Sequence, residues 1–403
     1  MRKKLKFLFL NVGHFLDHLM TLVFATVAAL ALSRDWGLSY SELLGYATPG
    51  FLAFGLFSLP AGYIADKWSR EGMIAVFFIG MGLAANATGF AQSPLQIGFG
   101  LFVVGVFAAI YHPVGLALVV EGRAKAGMAI AANGVWGNFG VGSAALIAGY
   151  FIDHGGWRAA FFVPGGICVA LGVAYTVLTW ADIRDAHIRP KYANAVARTL
   201  DANMKAQLFR IGLIVLAATM LGSVIFQSTT FALPKVFAER LGGIAGSATL
   251  VGWFTFLVFA IASGAQVIVG HYLDRIGART VFMAVASLQV LFFALMPGLS
   301  DWPALITAIA FMLVVFGQIP ITDYMISRLA QGEFRARVYG ARFVVSSTVL
   351  GITLPLVGWV YGTWGFDRLF MILSCVAALL LMIVVLLPRT LPRPDAIAAP
   401  IRA

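Results

Sequence analysis

Long apolar runs alternate with short polar breaks along this chain, and the runs vary little in length. Each holds about 18–26 residues, enough to cross roughly 30 Å of hydrocarbon at 1.5 Å of helix per residue. They fall at residues 7–32, 41–64, 73–91, 95–119, 127–151 and 159–180, and again at 208–232, 247–271, 280–297, 303–327, 338–361 and 367–387. Backbone polar groups in lipid find no water, so a spanning segment must satisfy them internally, as a helix does. A membrane barrel would need strands of alternating apolar and polar residues, which these runs lack. The pattern predicts an all-α membrane protein with twelve transmembrane helices.

One polar break is long. Residues 181–207 divide an N-terminal six-helix bundle, 1–180, from a C-terminal one, 208–387, and a Pro- and Arg-rich tail follows at 388–403. Within the linker Asp201 and Lys205 stand at i,i+4, the spacing of a surface helix pair. Met1-Arg2-Lys3-Lys4 resembles the head of a secretory signal. The apolar run behind it reaches about Leu32, beyond a signal's roughly 7–15-residue core, and contains His14, Asp17 and His18. It reads as the first transmembrane helix.

Composition excludes a soluble protein: 61% of residues are hydrophobic and only 11% charged, against roughly 25% charged in soluble domains. The net charge of +11 does not imply a nucleic-acid partner, because the basic residues sit in the breaks between apolar runs. They orient the chain instead. Arg34, Arg158, Lys235, Arg240 and Arg368 fall on one side and Arg342 within a span, while every other Lys and Arg falls on the side of the N-terminus. The positive-inside rule then predicts both termini and the linker in the cytoplasm, with the chain in the inner (cytoplasmic) membrane. Cys168 and Cys375 lie inside apolar runs and form no metal-binding pattern. Neither a phosphate-binding Gly-x-x-x-x-Gly-Lys-Ser/Thr loop nor His-Glu-x-x-His is present. The expectation is a non-enzyme without metal or other cofactor, driven by an ion gradient.

A duplication is visible. Gly62-Tyr63-Ile64-Ala65-Asp66-Lys67 precedes Trp68-Ser69-Arg70, and Gly270-His271-Tyr272-Leu273-Asp274-Arg275 precedes Ile276-Gly277-Ala278-Arg279. Both segments close the second run of a half. Pro113 and Pro320, Trp157 and Trp364, and Cys168 and Cys375 recur at nearly the same offset. The glycines allow close helix approach. The carboxylates can pair with nearby basic groups or cap a helix, links that hold one conformation and break in another. Gly62, Asp66, Lys67, Arg70, Gly270, Asp274, Arg275 and Arg279 are therefore candidate gating residues.

With that doubled segment the chain resembles the major facilitator superfamily, whose loop signature is Gly-x-x-x-Asp-Arg/Lys-x-Gly-Arg. The segment Gly156-Trp157-Arg158-Ala159-Ala160-Phe161-Phe162 is similar to the family's entry to its sixth helix. The first loop copy departs at Ser69 and Glu71. The resemblance implies two pseudo-symmetric six-helix halves and transport by alternating access. His14 and Asp17, with His112-Pro113 in the fourth run, resemble the fosmidomycin-resistance-type exporters. In the fifth run Gly137, Gly140 and Gly142 lack the proline that many drug/proton antiporters carry there.

Ionisable residues at membrane depth are costly, which makes them functional candidates. Asn11, His14, Asp17, His18 and Thr21 share about 120° of helix arc at 100° per residue. Desolvation disfavours the charged form of carboxyl and imidazole groups alike, so such a cluster suits a shared proton. Pro113 removes a helical hydrogen bond beside His112, and unwound helix at membrane depth marks transporter sites. His14, Asp17, His18 and His112 are candidates for proton coupling or substrate contact. Asp323 and Arg342 fall at similar depth on adjacent helices and are candidates for an ion pair or inner gate. Asn11, Thr21, Asn133, Trp136, Gln227, Gln266 and Gln318 are candidate cavity-lining groups, with ordinary helix–helix contact as the alternative for each. The predicted function is a proton-coupled exporter of a small organic solute, acting as a monomer. An uptake symporter for a small anion or nutrient, and a non-transporting receptor or scaffold, are the alternatives.

Overall fold

The computed structural model describes residues 1–121, 126–186, 202–329 and 332–389. Within its helices the side chains at 126, 127, 202–206, 208, 274, 327–329, 332–343 and 347 are not described. The linker at 187–201 and the tail at 390–403 therefore lie outside the described residues, as do the side chains of Asp274 and Arg342.

Every regular element among the described residues is a helix. Among the described residues eleven continuous helical runs are long and apolar enough to cross a membrane. Spans 1 to 6 are Arg2–Asp35, Tyr40–Lys67, Arg70–Gly89, Pro94–Val120, Met128–His154 and Ala159–Arg184. Spans 7 to 10 are Phe209–Arg240, Ala248–Leu273, Ala278–Leu295 and Asp301–Ile326. Helical backbone then runs from Gly332 to Val385, 54 residues. At 1.5 Å per residue that is about 80 Å, more than twice the hydrocarbon thickness. Gly365 resolves the excess. Its φ of 73° and ψ of −176° lie where a side chain is strongly disfavoured, and the chain reverses there from span 11 into span 12. The protein thus has twelve spans.

Contacts at the span ends fix the up-and-down order. Arg2, opening span 1, donates to the Leu178 carbonyl at 3.1 Å and pairs with Asp182 at the close of span 6. Lys6 bridges Asp182 at 2.7 Å and Glu71, opening span 3, at 3.2 Å. Arg279, opening span 9, donates to the Val385 carbonyl of span 12 at 2.9 Å, where the helix dipole also favours a cation. Odd spans begin and even spans end at this basic end. Spans 1 and 5, 2 and 4, and 3 and 6 pack in the first half, and the same pairings recur six spans later. Large apolar side chains such as Leu95, Phe99, Val177 and Met382 face outward, as a lipid solvent requires.

The halves meet where span 5 packs on span 8 and span 2 on span 11. A Cβ at Gly252 would stand 2.6 Å from the Ala145 carbonyl oxygen, and one at Gly358 2.9 Å from that of Ser41. Thr249 donates to the Asp153 carboxylate through its N–H at 2.7 Å and through its hydroxyl. The Tyr40 hydroxyl donates to the Phe231 carbonyl at 3.3 Å. These contacts lie between the middle of the bundle and the end opposite the basic one, and they tie the two halves together there.

Candidate functional site

Span 4 is irregular where the sequence places its proline. Helix Pro94–Ala108 gives way to a π-helical turn at Tyr111–Gly115 and then to helix Leu116–Val120. Pro113 offers no N–H to the turn before it, and the widened turn carries His112 toward span 1. A second π-helical turn, Ala28–Leu32, closes span 1, with the Ser33 hydroxyl on the Ala28 carbonyl at 2.8 Å. No residue in that stretch announces it.

Asp17 is completely buried in span 1. Its Oδ2 lies 3.4 Å from Nε2 of His112. Among the described residues neither carboxylate oxygen makes a hydrogen bond. His14 stands three residues before Asp17 and four before His18, so it neighbours both on the helix surface. The ring centroids stand 5.0 Å apart for His14 and His18, 5.3 Å for His14 and His112, and 5.5 Å for His18 and His112. Phe54 from span 2 sets its ring edge-on to His112 at 5.7 Å. His14 is buried, while His18 and His112 are partly open.

The cluster has a supporting shell. His14 Nδ1 lies 2.8 Å from the Asn133 main-chain oxygen. A carbonyl only accepts, so Nδ1 carries the hydrogen and Nε2 keeps its lone pair. That Nε2 is buried and makes no hydrogen bond among the described residues. The ring stacks on Tyr111 at 4.9 Å. Tyr111 in turn donates to the Leu10 carbonyl at 2.6 Å, and Asn133 Nδ2 reaches Asn11 Oδ1 at 3.0 Å and the Tyr111 oxygen at 2.9 Å. Spans 1, 4 and 5 are thereby tied together by polar groups within the membrane, where each must find a partner. Span 5 approaches closely enough only because of its glycines. A Cβ at Gly137 would fall 2.7 Å from the His14 ring, and one at Gly140 would strike the Phe15 carbonyl.

The other sequence candidates separate. Thr21 donates to the carbonyls of Asp17 at 2.9 Å and His18 at 3.1 Å, within its own helix. Asn133 is fully buried while Trp136 is exposed, so the two do not share one surface. Gln318 accepts from Gln289 at 2.9 Å, a contact between spans 10 and 9, and Gln289 is a buried polar partner the sequence reading does not name. Gln227 and Gln266 are half-buried. Asp66 pairs with Arg70 at 2.8 Å on the basic end, and Lys67 sits 5.6 Å over the Tyr63 ring. A Cβ at Gly62 would make ordinary contact with Pro113 at 3.5 Å, whereas Gly270 has open space around it. Among the described residues no close helix approach is seen at Gly270 itself, although a Cβ at Gly317 of span 10 would lie 3.0 Å from the adjacent Val269. Arg275 is exposed and Asp323 half-buried. Cys168 is buried and Cys375 exposed, so the repeat places them in unlike surroundings.

The model of the Major Facilitator Superfamily matches residues 10–246 and 216–402. The chain belongs to that superfamily. It is 33% identical over 162 residues to the puromycin resistance protein pur8 of Streptomyces alboniger, covering 38% of this chain and 32% of that one. It is 28% identical over 158 residues to the niacin transporter NiaP of Acinetobacter baylyi, covering 38% and 36%. To the tetracenomycin C resistance and export protein of Streptomyces glaucescens it is 29% identical over 171 residues, covering 40% and 31%. The chain therefore spans about a third of the length of these curated relatives. Among solved structures, a POT family transporter in complex with 5-aminolevulinic acid superposes with a TM-score of 0.71 at 12% identity, covering 94% of each chain. A bacterial homolog of the human lysosomal transporter Spinster, inward-facing and unoccupied, does so with 0.68 at 14%, covering 95% and 94%. The chain is a multi-pass integral membrane protein of a transporter family for small solutes.

Proposed function

We propose that the protein is a proton-coupled secondary active transporter that exports a small organic solute across the inner membrane by alternating access. It acts as a monomer without a cofactor, with both termini in the cytoplasm. The observation that carries the reading is Asp17, a carboxylate with no exposure inside the bundle, set against His112 with His14 and His18 beside it. A central Asp costs roughly 2.5–3.5 kcal/mol on insertion scales, so an ionised one is expected only where it works. Water in an open cavity favours the carboxylate and dry packing favours the acid. Opening and closing around the cluster would therefore take up and release a proton. Each tenfold change in proton affinity between states supplies about 1.4 kcal/mol of coupling. Export rests on the likeness to proteins named for puromycin and tetracenomycin C resistance.

Uptake of a small anion is the second reading. Other relatives are named for niacin, gallate and 4-hydroxybenzoate, each an aromatic carboxylate. Vesicles carrying an imposed pH gradient, screened against antibiotics and aromatic acids, separate the two by the direction of accumulation. A scaffold would move neither. Asp17→Asn, a permanent mimic of the protonated form, should abolish gradient-driven accumulation while solute exchange persists. Full pH-driven accumulation in that variant would place the proton elsewhere, with Asp323 the next candidate.

A further inference from the structure

We propose that the histidine cluster of spans 1 and 4 is also a binding site for one divalent transition-metal ion of the zinc class. The ligating nitrogens of His14, His18 and His112 all lie within 4.8 Å of one another, and Asp17 Oδ2 stands 3.4 Å from Nε2 of His112. Three imidazoles are a sufficient protein ligand set for such an ion, with a fourth position open, and the Asp17 carboxylate beside His112 can turn to fill it. In a tetrahedral site with metal–nitrogen bonds near 2.1 Å, ligand atoms are about 3.4 Å apart. The rings thus need to close by little more than an ångström, and His18 and His112 are only partly buried.

A second observation points to a ligand independently of the spacing. Nε2 of His14 belongs to a side chain 7% exposed, holds a lone pair, and has no hydrogen-bond partner among the described residues. The other nitrogen of that ring is fixed on the Asn133 carbonyl. Metal-binding histidines are held in the same way, with the far N–H on a carbonyl so that the near nitrogen points its lone pair at the ion. Both oxygens of Asp17 are likewise buried without a hydrogen bond among the described residues. A divalent cation would satisfy all of these atoms at once. Any effect on transport rests on the reading of this cluster as the coupling site; the binding itself does not.

Co²⁺ titration of the purified full chain, carrying no polyhistidine tag, tests the site. The expected result is visible ligand-field absorption of a four-coordinate ion, saturating at one Co²⁺ per chain and displaced by Zn²⁺. His14→Ala and His18→Ala should each weaken Co²⁺ binding at least tenfold, while replacing the exposed His154 and His271 should leave it unchanged. Should an alanine variant fail to fold, His14→Gln keeps the side-chain volume and removes the free imidazole nitrogen. Absence of the absorption, or its persistence in the His14→Ala/His18→Ala double variant, would overturn the proposal. If Zn²⁺ binds at one per chain yet pH-driven transport continues unchanged, the metal site stands and the coupling role of Asp17 falls.

Discussion

The missing side chain of Gly137 lets span 5 lie against His14. A methyl there would stand 2.7 Å from the imidazole, so Gly137→Ala must push the ring off Tyr111 or part the two helices. Overpacking of this kind costs about 1–3 kcal/mol. The substitution changes no titratable group, yet it moves one nitrogen of the cluster. The expected outcome is a lower unfolding temperature in detergent together with at least a tenfold fall in pH-driven transport. Normal transport in a folded Gly137→Ala protein would show that the position of His14 does not matter. The sequence makes half of this legible. Helical spacing alone assembles His14, Asp17 and His18, because i, i+3 and i+4 share a face whatever surrounds them. That Asn133 and Gly137 of span 5 position the ring depends on which helices are neighbours, and nothing local encodes it.

At the level of the helix, apolar length is a strong signal and the partner of each helix is not. The fourth run was expected at 95–119 and forms Pro94–Val120. The break between the last two spans falls between the predicted runs, at Gly365. The three glycines of span 5 read in the sequence as one motif, but they serve two faces. Gly137 and Gly140 adjoin span 1, while a Cβ at Gly142 would lie 3.2 Å from Phe259 of span 8. Span 5 is therefore packed between the cluster and the other half. Gly252, on the opposing surface, tests this. A valine there would drive its side chain into the Ala145 carbonyl and wedge spans 5 and 8 apart at the end opposite the basic one. Tyr40 is buried at the other seam of the same end, against Phe231 of span 7 and Tyr361 of span 11, at 3% exposure. A cysteine at position 40 should accordingly react faster with a membrane-impermeant maleimide in the Gly252→Val background. Equal rates would mean that this contact does not hold the end shut.

For the whole molecule the two ends are unequal. The end away from the termini is tied together by cross-half contacts such as Asp153 with Thr249 and Tyr40 with Phe231. At the basic end Asp66 spends its charge on Arg70 of its own half, Gly270 faces open space, and Met128 and Val267 are exposed at 77% and 75%. If the doubled loop segments act as a gate, they act when the basic end closes. An exposed i,i+4 pair contributes only about 0.3–0.5 kcal/mol to stability. Asp66→Asn and Asp274→Asn should therefore leave folding and membrane insertion intact. Their effect should be kinetic. A cysteine pair replacing Met128 and Val267, on spans 5 and 8, should cross-link only when the basic end closes. In each Asn variant that cross-link should form several-fold more slowly, and transport should slow with it. If both variants cross-link and transport at the parental rate, the repeated motif is a loop charge pattern and the gate lies elsewhere.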